Sequence, residues 1–241
     1  MTARSEQASA QWWQHPDRQR LLQTENRLIA EVLAGVFGYH GLWVSPDQPM
    51  ADAKTGPYHW VSLTRHANAC RGAVRTDIGD WPWQSGAFAV VVLQHVIDCV
   101  EDPSAIFDQV ERVLSPDGVL LLTAFNPLSV LGLQTKWSAR GGDINVGAID
   151  RATVMRNMQE RSMQCMLWRA CHFGPFERPL KRRFANRLLG GSYLAVIRKH
   201  RGATIKKLRP RSVVSTAQAS GVSAKVACRA RHAALVVRGL M

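Results

Sequence analysis

The sequence predicts an α/β fold built on a doubly wound, mostly parallel sheet of seven strands. The main signal lies between residues 81 and 126, where two unbroken apolar runs, 87–93 and 118–125, flank a helical pattern. Neither run alternates polar with apolar residues, so we expect both faces of each strand to be covered by other elements. A strand, a helix and a second strand in this order predict a right-handed crossover between parallel neighbours.

The helix of this crossover carries its own start and stop signals. Asp102 stands at the N-cap position and Pro103 at the first helical position. Apolar residues recur at helical spacing up to Leu114, and the segment Ser-Pro-Asp-Gly at 115–118 then turns the chain. Ligands of such sheets gather beyond the carboxyl ends of the strands, where Gln94, His95 and Asn126 are expected.

The remaining elements follow from shorter patterns. Before the crossover we predict a helix over 17–37 and strands at 41–45, 59–63 and 73–75. After it we predict a helix over 150–163 and strands at 165–171 and 192–198. The chain is therefore expected to divide into an N-terminal helical segment (1–40), an α/β domain (41–200) and a basic, flexible tail (201–241).

Composition narrows the class of protein. The chain has 241 residues and 46% hydrophobic residues, enough for one sizeable core. No apolar run reaches the roughly 18 residues of a membrane span, and the first residues lack the apolar centre of a signal peptide. Its five cysteines are scattered without a Cys-x-x-Cys pair, so no zinc site or disulfide framework is expected. These features predict a cytoplasmic protein without a metal.

The charge is unevenly distributed along the chain. Residues 178–241 hold 16 of the 31 Lys and Arg residues and none of the 18 Asp and Glu residues. The preceding residues therefore carry 15 basic and 18 acidic side chains, a net charge of −3. This asymmetry is typical of a region that meets a polyanion such as nucleic acid, with a solvated extension that binds nothing as the alternative.

Several motifs between residues 72 and 133 occur in the order found in one enzyme family. Asp77 precedes a Trp-Pro-Trp turn at 81–83, His95 follows the fourth strand, and Asp102-Pro103 opens the helix. The turn at 114–118 and the segment Phe-Asn-Pro-Leu-Ser-Val-Leu-Gly-Leu at 125–133 continue the series. In these motifs the chain resembles the class I S-adenosylmethionine-dependent methyltransferases, most closely the type 11 group.

The resemblance implies a Rossmann-like methyltransferase fold, whose last strand inserts antiparallel, and S-adenosylmethionine as cofactor. It implies methyl transfer to an acceptor that the sequence does not identify. His95 is the candidate general base, because its ordinary pKa lies near neutrality, and Asn126 is the candidate for orienting the acceptor. The candidate cofactor-binding residues are Trp43, Ser45, Asp77, Ile78 and Gln94.

Other features favour a catalytically inactive methyltransferase-like module that binds nucleic acid or a partner protein. Pro46 and Pro49 stand where the family has a glycine-rich turn, and prolines remove backbone donors. The second strand ends without the carboxylate that usually binds the ribose hydroxyls, and Ala89 replaces a strand aspartate. A dehydrogenase is disfavoured, because no Gly-x-Gly-x-x-Gly follows any strand. A further open prediction gives Trp12 and Trp13 the role of a lid.

Overall fold

An eight-stranded sheet forms the centre of the part of the chain that the computed structural model describes. The described residues are 11–46, 55–66, 69–100, 102–129, 131–133, 148–171 and 190–200. All of them belong to a compact unit formed by residues 1–204.

The described part of this unit contains three α-helices, one 3₁₀ turn and eight strands. The helices are α1 (Pro16–Leu33), α2 (Pro103–Val113) and α3 (Arg151–Gln159), and one 3₁₀ turn spans Ile97–Cys99. The strands are β1 (His40–Ser45), β2 (His59–His66), β3 (Ala69–Gly72), β4 (Thr76–Asp77), β5 (Phe88–Gln94), β6 (Leu114–Phe125), β7 (Met163–Cys171) and β8 (Ser192–Lys199).

The strand order is β4-β3-β2-β1-β5-β6-β8-β7. Strands β2, β1, β5 and β6 are parallel neighbours, and β8 lies antiparallel between β6 and β7. The predicted crossover is confirmed, because β5 and β6 pair in parallel from Val90 with Val119 to Gln94 with Thr123. The antiparallel insertion of the last strand is confirmed as well.

The third strand differs from the prediction. Residues 73–75 were expected to form it, but the chain instead turns back after β2 and forms β3 at Ala69–Gly72, antiparallel to β2. The short β4 then pairs antiparallel with β3 and so runs in the direction of β2 again. This hairpin raises the number of strands from the predicted seven to eight. β3 has only four residues, and its extended conformation depends on pairing with β2. The sequence of so short a segment does not reveal this pairing.

Helices cover both faces of the sheet, which confirms the doubly wound arrangement. Ile29 and Leu33 of α1 pack with Trp43 and Val92 on one face. On the other face, α2 and α3 contribute the apolar side chains Ile106, Phe107, Val110, Val154 and Met158. Asp102 caps α2 as predicted, since its side chain accepts a hydrogen bond from the Ser104 backbone N–H at 2.9 Å.

Three predictions fall on residues outside the described ranges. These are the basic tail at 201–241, the arginine-rich loop and short helix at 173–187, and Pro49 in the connection after β1. Among the described residues, no helix has the length and apolar character to cross a membrane.

Candidate functional site

The carboxyl edge of the sheet contains a group of buried polar side chains. Gln94 ends β5, and His95 follows it with a backbone φ of 52°. This left-handed conformation is uncommon for residues other than glycine and typically marks a turn or a functional site. It directs the imidazole beneath the edge, where no part of the ring reaches solvent.

Two carboxylates enclose the imidazole of His95. Its Nε2 lies 2.9 Å from Glu25 Oε1, and its Nδ1 lies 2.8 Å from Asp98 Oδ2. All three side chains are fully buried. Glu25 comes from the middle of α1, whereas Asp98 belongs to the 3₁₀ turn after β5. We call this group the Glu25–His95–Asp98 cluster.

The cluster determines the charge state of its members. Burial alone would lower the pKa of His95, but the charge of Glu25 and the hydrogen bonds with Asp98 and Glu25 raise it to about 9. Burial would likewise raise the pKa of Glu25, and the protonated His95 holds it below its usual value instead. At neutral pH the centre of the cluster is therefore an imidazolium–carboxylate pair.

Asp98 differs from Glu25 in its surroundings. Its Oδ2 accepts hydrogen bonds from His95 and from the Phe125 backbone N–H at 3.0 Å. Its Oδ1 is buried and has no hydrogen-bond partner among the described residues. A buried charge without a partner is unfavourable, so burial raises the pKa of Asp98 in spite of the neighbouring imidazolium.

Glu25 connects α1 with three strands and was not predicted as a site residue. It accepts hydrogen bonds from Gln94 of β5 at 3.1 Å, from Thr123 of β6 at 3.2 Å and from Ser192 of β8. Its neighbours on the buried face of α1, at i−4 and i+4, are Leu21 and Ile29. A carboxylate in the apolar stripe of a helix was the sequence signal that could have revealed it.

Gln94 is held with a defined orientation. Its amide nitrogen donates to Glu25 Oε2 and to Asn26 Oδ1, both at 3.1 Å. Both donors of this amide group are thereby used on α1, which leaves the carbonyl oxygen as an acceptor. Among the described residues, no side chain or backbone group donates a hydrogen bond to that oxygen.

Asn126 forms the turn that follows β6. Its side chain donates to the Gly190 carbonyl at 3.0 Å and accepts from the Leu128 backbone N–H at 3.1 Å. The same turn brings Gly132 so close that a Cβ there would lie 2.0 Å from the Asn126 carbonyl oxygen. Asn126 and His95 thus lie after adjacent strands, as predicted, and their catalytic roles remain predictions.

Aromatic rings cover the cluster. The ring centroid of Phe125 lies 4.1 Å from that of His95, and the centroid of Trp13 lies 5.1 Å away. Trp13 stacks on Phe125 and is 1% exposed, whereas Trp12 is half-buried beside it. The two tryptophans therefore lie against the carboxyl edge, and movement as a lid remains a prediction.

The other candidate cofactor-binding residues lie in different surroundings. Trp43 packs in the core, with its ring 5.6 Å from that of Trp60. Ser45, which is buried, ends β1 beside Gln94, since the paired residues Val44 and Leu93 directly precede them. In the sheet, β2 lies on one side of β1 and β5 lies on the other. The order of the strands therefore changes direction between β1 and β5, whose carboxyl ends are Ser45 and Gln94.

Asp77 and Ile78 lie further along the sheet. Ile78 is buried in the core, and its backbone N–H donates to Asp77 Oδ1 at 3.0 Å. The Asp77 carboxylate is exposed and lines an open hollow together with Ala69, Arg75 and Thr76. Of the candidate residues, Asp77 is the one with an exposed carboxylate, the group that could accept a hydrogen bond from an exocyclic amine.

Near the end of β2 lies Arg65, and the carboxylate that is usual in the methyltransferases is absent from this strand, as the sequence showed. Arg65 is 7% exposed and lies close enough to Cys99 to lower the pKa of its thiol, although burial is the larger effect and raises that pKa to about 11. Cys99 follows β5, and β1 lies between β2 and β5, so this guanidinium spans the carboxyl end of β1. Within the described part of the chain, no group of acidic, histidine and cysteine side chains has the arrangement of a metal site.

The comparisons with known proteins agree with this architecture. Residues 52–122 match the type 11 family model described as "Methyltransferase domain". A comparison with curated protein sequences finds no significant match. The structure is similar to a chain from the complex between the Haloferax volcanii Trm112 methyltransferase activator and a methyltransferase, with a TM-score of 0.58 and 12% identity. That similarity covers 84% of this chain and 99% of the Haloferax chain.

Two further solved structures show the same fold. A methyltransferase from Thermotoga maritima has a TM-score of 0.51 and 14% identity, covering 81% of this chain and 99% of its own. One from Listeria monocytogenes has a TM-score of 0.52 and 12% identity, covering 74% of this chain and 97% of its own. Both are described as dependent on S-adenosylmethionine.

Two of the described residues have the chemistry to hold this cofactor. The exposed carboxylate of Asp77 suits the adenine amine, and the available carbonyl oxygen of Gln94 lies where the order of the strands changes direction. The ribose hydroxyls lack their usual carboxylate, because Arg65 occupies the end of β2. The match of residues 52–122 to the type 11 methyltransferase model and the class I methyltransferase fold together imply S-adenosylmethionine as the cofactor.

Proposed function

We propose that the chain binds S-adenosylmethionine across the carboxyl ends of β1 and β5 and promotes methyl transfer to an acceptor beside the turn after β6. The observation that supports this proposal most strongly is the orientation of Gln94. Both of its amide donors are engaged on α1, so its carbonyl oxygen is available at the end of the strand. A side chain held by two fixed partners is preorganised for a ligand.

The cofactor supplies an electrophilic methyl group, and the protein's own residues supply position and surroundings. Asp77 would accept a hydrogen bond from the adenine amine, and Ser45 and Gln94 would hold the cofactor at the ends of β1 and β5. Trp43 and Ile78 support these positions from the core. Methyl transfer is an in-line displacement, so positioning accounts for most of what such a site contributes.

His95 has an indirect role in this proposal. Both ring nitrogens are bonded to carboxylates, and its raised pKa keeps it protonated at neutral pH. An imidazolium with both protons engaged cannot accept a proton from an acceptor. We therefore assign His95 a positioning role: it holds Glu25 in place, and Glu25 in turn orients Gln94. Asn126 borders the acceptor.

Calorimetric titration with S-adenosylmethionine tests the proposal. We expect one site of micromolar affinity in the full-length protein. The Asp77→Asn variant removes the negative charge but keeps the shape, and we expect about tenfold weaker binding, the scale of one charge-assisted hydrogen bond. Asp80→Asn is the matched control, because Asp80 is also exposed and lies three residues away. Equal affinity in the two variants would contradict the role of Asp77.

One observation favours a second function, that of a catalytically inactive module. The Arg65 guanidinium reaches Cys99 across the end of β1, the region over which the family binds the ribose. A module of this kind would hold nucleic acid or a partner protein through residues 178–241, which carry 16 basic side chains. The Haloferax neighbour was solved together with an activator protein. The same titration distinguishes the two functions, because an inactive module shows no heat even at millimolar cofactor.

A further inference from the structure

A half-buried arginine lies on α1 close to the end of β6. Arg18 is the third residue of α1, and its guanidinium carbon lies 4.5 Å from the centroid of the Trp12 ring. Trp12 in turn contacts Phe125, the last residue of β6, with the two ring centroids 5.9 Å apart. One aromatic ring therefore separates the guanidinium from the strand end that precedes Asn126.

The hydrogen-bond donors of Arg18 are unused in the described part of the chain. Its Nε atom is buried and has no hydrogen-bond partner there. Its two terminal nitrogens also donate no hydrogen bond to a described residue, but they are not buried. None of the ion pairs between described residues includes Arg18. The terminal nitrogens thus form an open fork of the geometry that fits a carboxylate or a phosphate.

The stability of α1 does not account for a cation at this position. The dipole of a helix favours negative charge in the first turn, where Arg18 lies. Burial lowers the pKa of its guanidinium, and the charge of Asp17 offsets this effect only in part. The Asp17 carboxylate is itself exposed and lies 3.8 Å from the His15 ring. A bound anion would compensate for the unfavourable burial and for the unused donors.

The location of Arg18 indicates which ligand supplies this anion. The proposed cofactor site extends across the carboxyl ends of β1 and β5, and β6 lies on the far side of β5 from β1. The proposed acceptor lies beside the turn after β6, and Phe125 directly precedes that turn. Through its contact with Trp12, Arg18 is therefore on the acceptor side of the candidate site.

We propose that Arg18 binds an oxyanion of the methyl acceptor, a carboxylate or a phosphate, and that the acceptor is consequently an anionic molecule. This inference rests on the proposed function, because it requires an acceptor at the turn after β6. The Trp12 ring holds the guanidinium from one side, and its terminal nitrogens bind the two oxygens of the anion.

Calorimetric titrations of the full-length protein with benzoate and benzamide test this inference. The two molecules have nearly the same shape, but only benzoate is an anion. We expect benzoate to bind at least about tenfold more tightly, the scale of a charge-assisted hydrogen bond. Arg18→Met should abolish this preference, and Arg18→Lys, which keeps the charge without the fork, should retain part of it. Arg20→Met, at an exposed arginine of the same helix, should bind benzoate like the wild type.

Two further titrations distinguish the possible sources of the anion. Phenyl phosphate replaces benzoate in the first, and the more tightly bound of the two indicates which oxyanion the acceptor carries. S-adenosylmethionine is the ligand in the second, and its affinity should be the same in Arg18→Met as in the wild type. A wild-type protein that binds benzoate but not S-adenosylmethionine would contradict the proposed function and still support an anion site at Arg18.

Two results would overturn the inference. One is equal affinity of the wild type and Arg18→Met for both anions. The other is weaker binding of S-adenosylmethionine by Arg18→Met, which would assign the guanidinium to the carboxylate of the cofactor. Urea unfolding of each variant confirms that the compared proteins are folded, and Arg18→Lys provides the comparison if Arg18→Met is not.

Discussion

The protonated state of His95 leads to a specific prediction about stability and pH. The imidazole is fully buried between Glu25 and Asp98, and its pKa is about 9 in the folded protein. In the unfolded chain its pKa is about 6.5. Because the folded pKa is the higher one, the stabilisation by the charged imidazole is complete below pH 6.5 and is lost as pH rises through 9.

The size of this effect follows from the two pKa values. A difference of about 2.5 units at about 1.4 kcal/mol per unit corresponds to a loss of about 3 kcal/mol in the free energy of unfolding. No screening by solvent reduces this figure, since the ring has no exposed surface. The raised pKa of Asp98 acts in the same direction, and Glu25, whose pKa is lowered, is ionised throughout this range in both states.

Urea unfolding at several pH values between 6.5 and 9 measures the effect. We expect the free energy of unfolding to fall steadily over this range. The His40→Gln variant, which removes an exposed histidine, should show the same fall. Nitrogen NMR shifts of the His95 ring should also report an imidazolium at pH 8. A free energy that is constant or rises with pH, or a neutral ring at pH 8, would refute the reasoning.

Two substitutions test the cluster and its cover. Glu25→Gln leaves the buried imidazolium without its principal partner and should destabilise the protein by about 3–5 kcal/mol, whereas Glu31→Gln, in an exposed ion pair of the same helix, should cost less than about 1 kcal/mol in urea unfolding. Trp13→Ala removes a ring that is 1% exposed and should cost about 3 kcal/mol, more than Trp12→Ala by thermal unfolding. Equal losses of stability in Glu25→Gln and Glu31→Gln, or in Trp13→Ala and Trp12→Ala, would contradict the reasoning, because it depends on the greater burial of the first residue in each pair.

The elements with strong local signals could be predicted from the sequence. The crossover from β5 to β6 was readable because unbroken apolar runs and a capped helix agree with one another. The β2–β3 hairpin was missed, since the four residues of β3 gain their conformation from pairing with β2. Local pattern does not encode that pairing.

The candidate site was predicted only in part for a similar reason. Gln94, His95 and Asn126 were recognisable because they lie at or just after the carboxyl ends of predicted strands. Ligands of such sheets bind beyond those ends. The partner of His95, Glu25, was not recognisable, because Glu25 lies 70 residues earlier in the sequence. The sequence therefore suggested a general base at His95, whereas the fold surrounds its ring with carboxylates and aromatic side chains.

Hydrogen exchange of the full-length protein, with and without S-adenosylmethionine, tests most directly where the cofactor binds. We expect slower amide exchange at Asp77, Ile78 and residues 94–98, while the amino ends of β1 and β2 remain unchanged. Absence of protection at the carboxyl ends of β1 and β5 at saturating cofactor, or protection confined to another part of the chain, would contradict the proposed site.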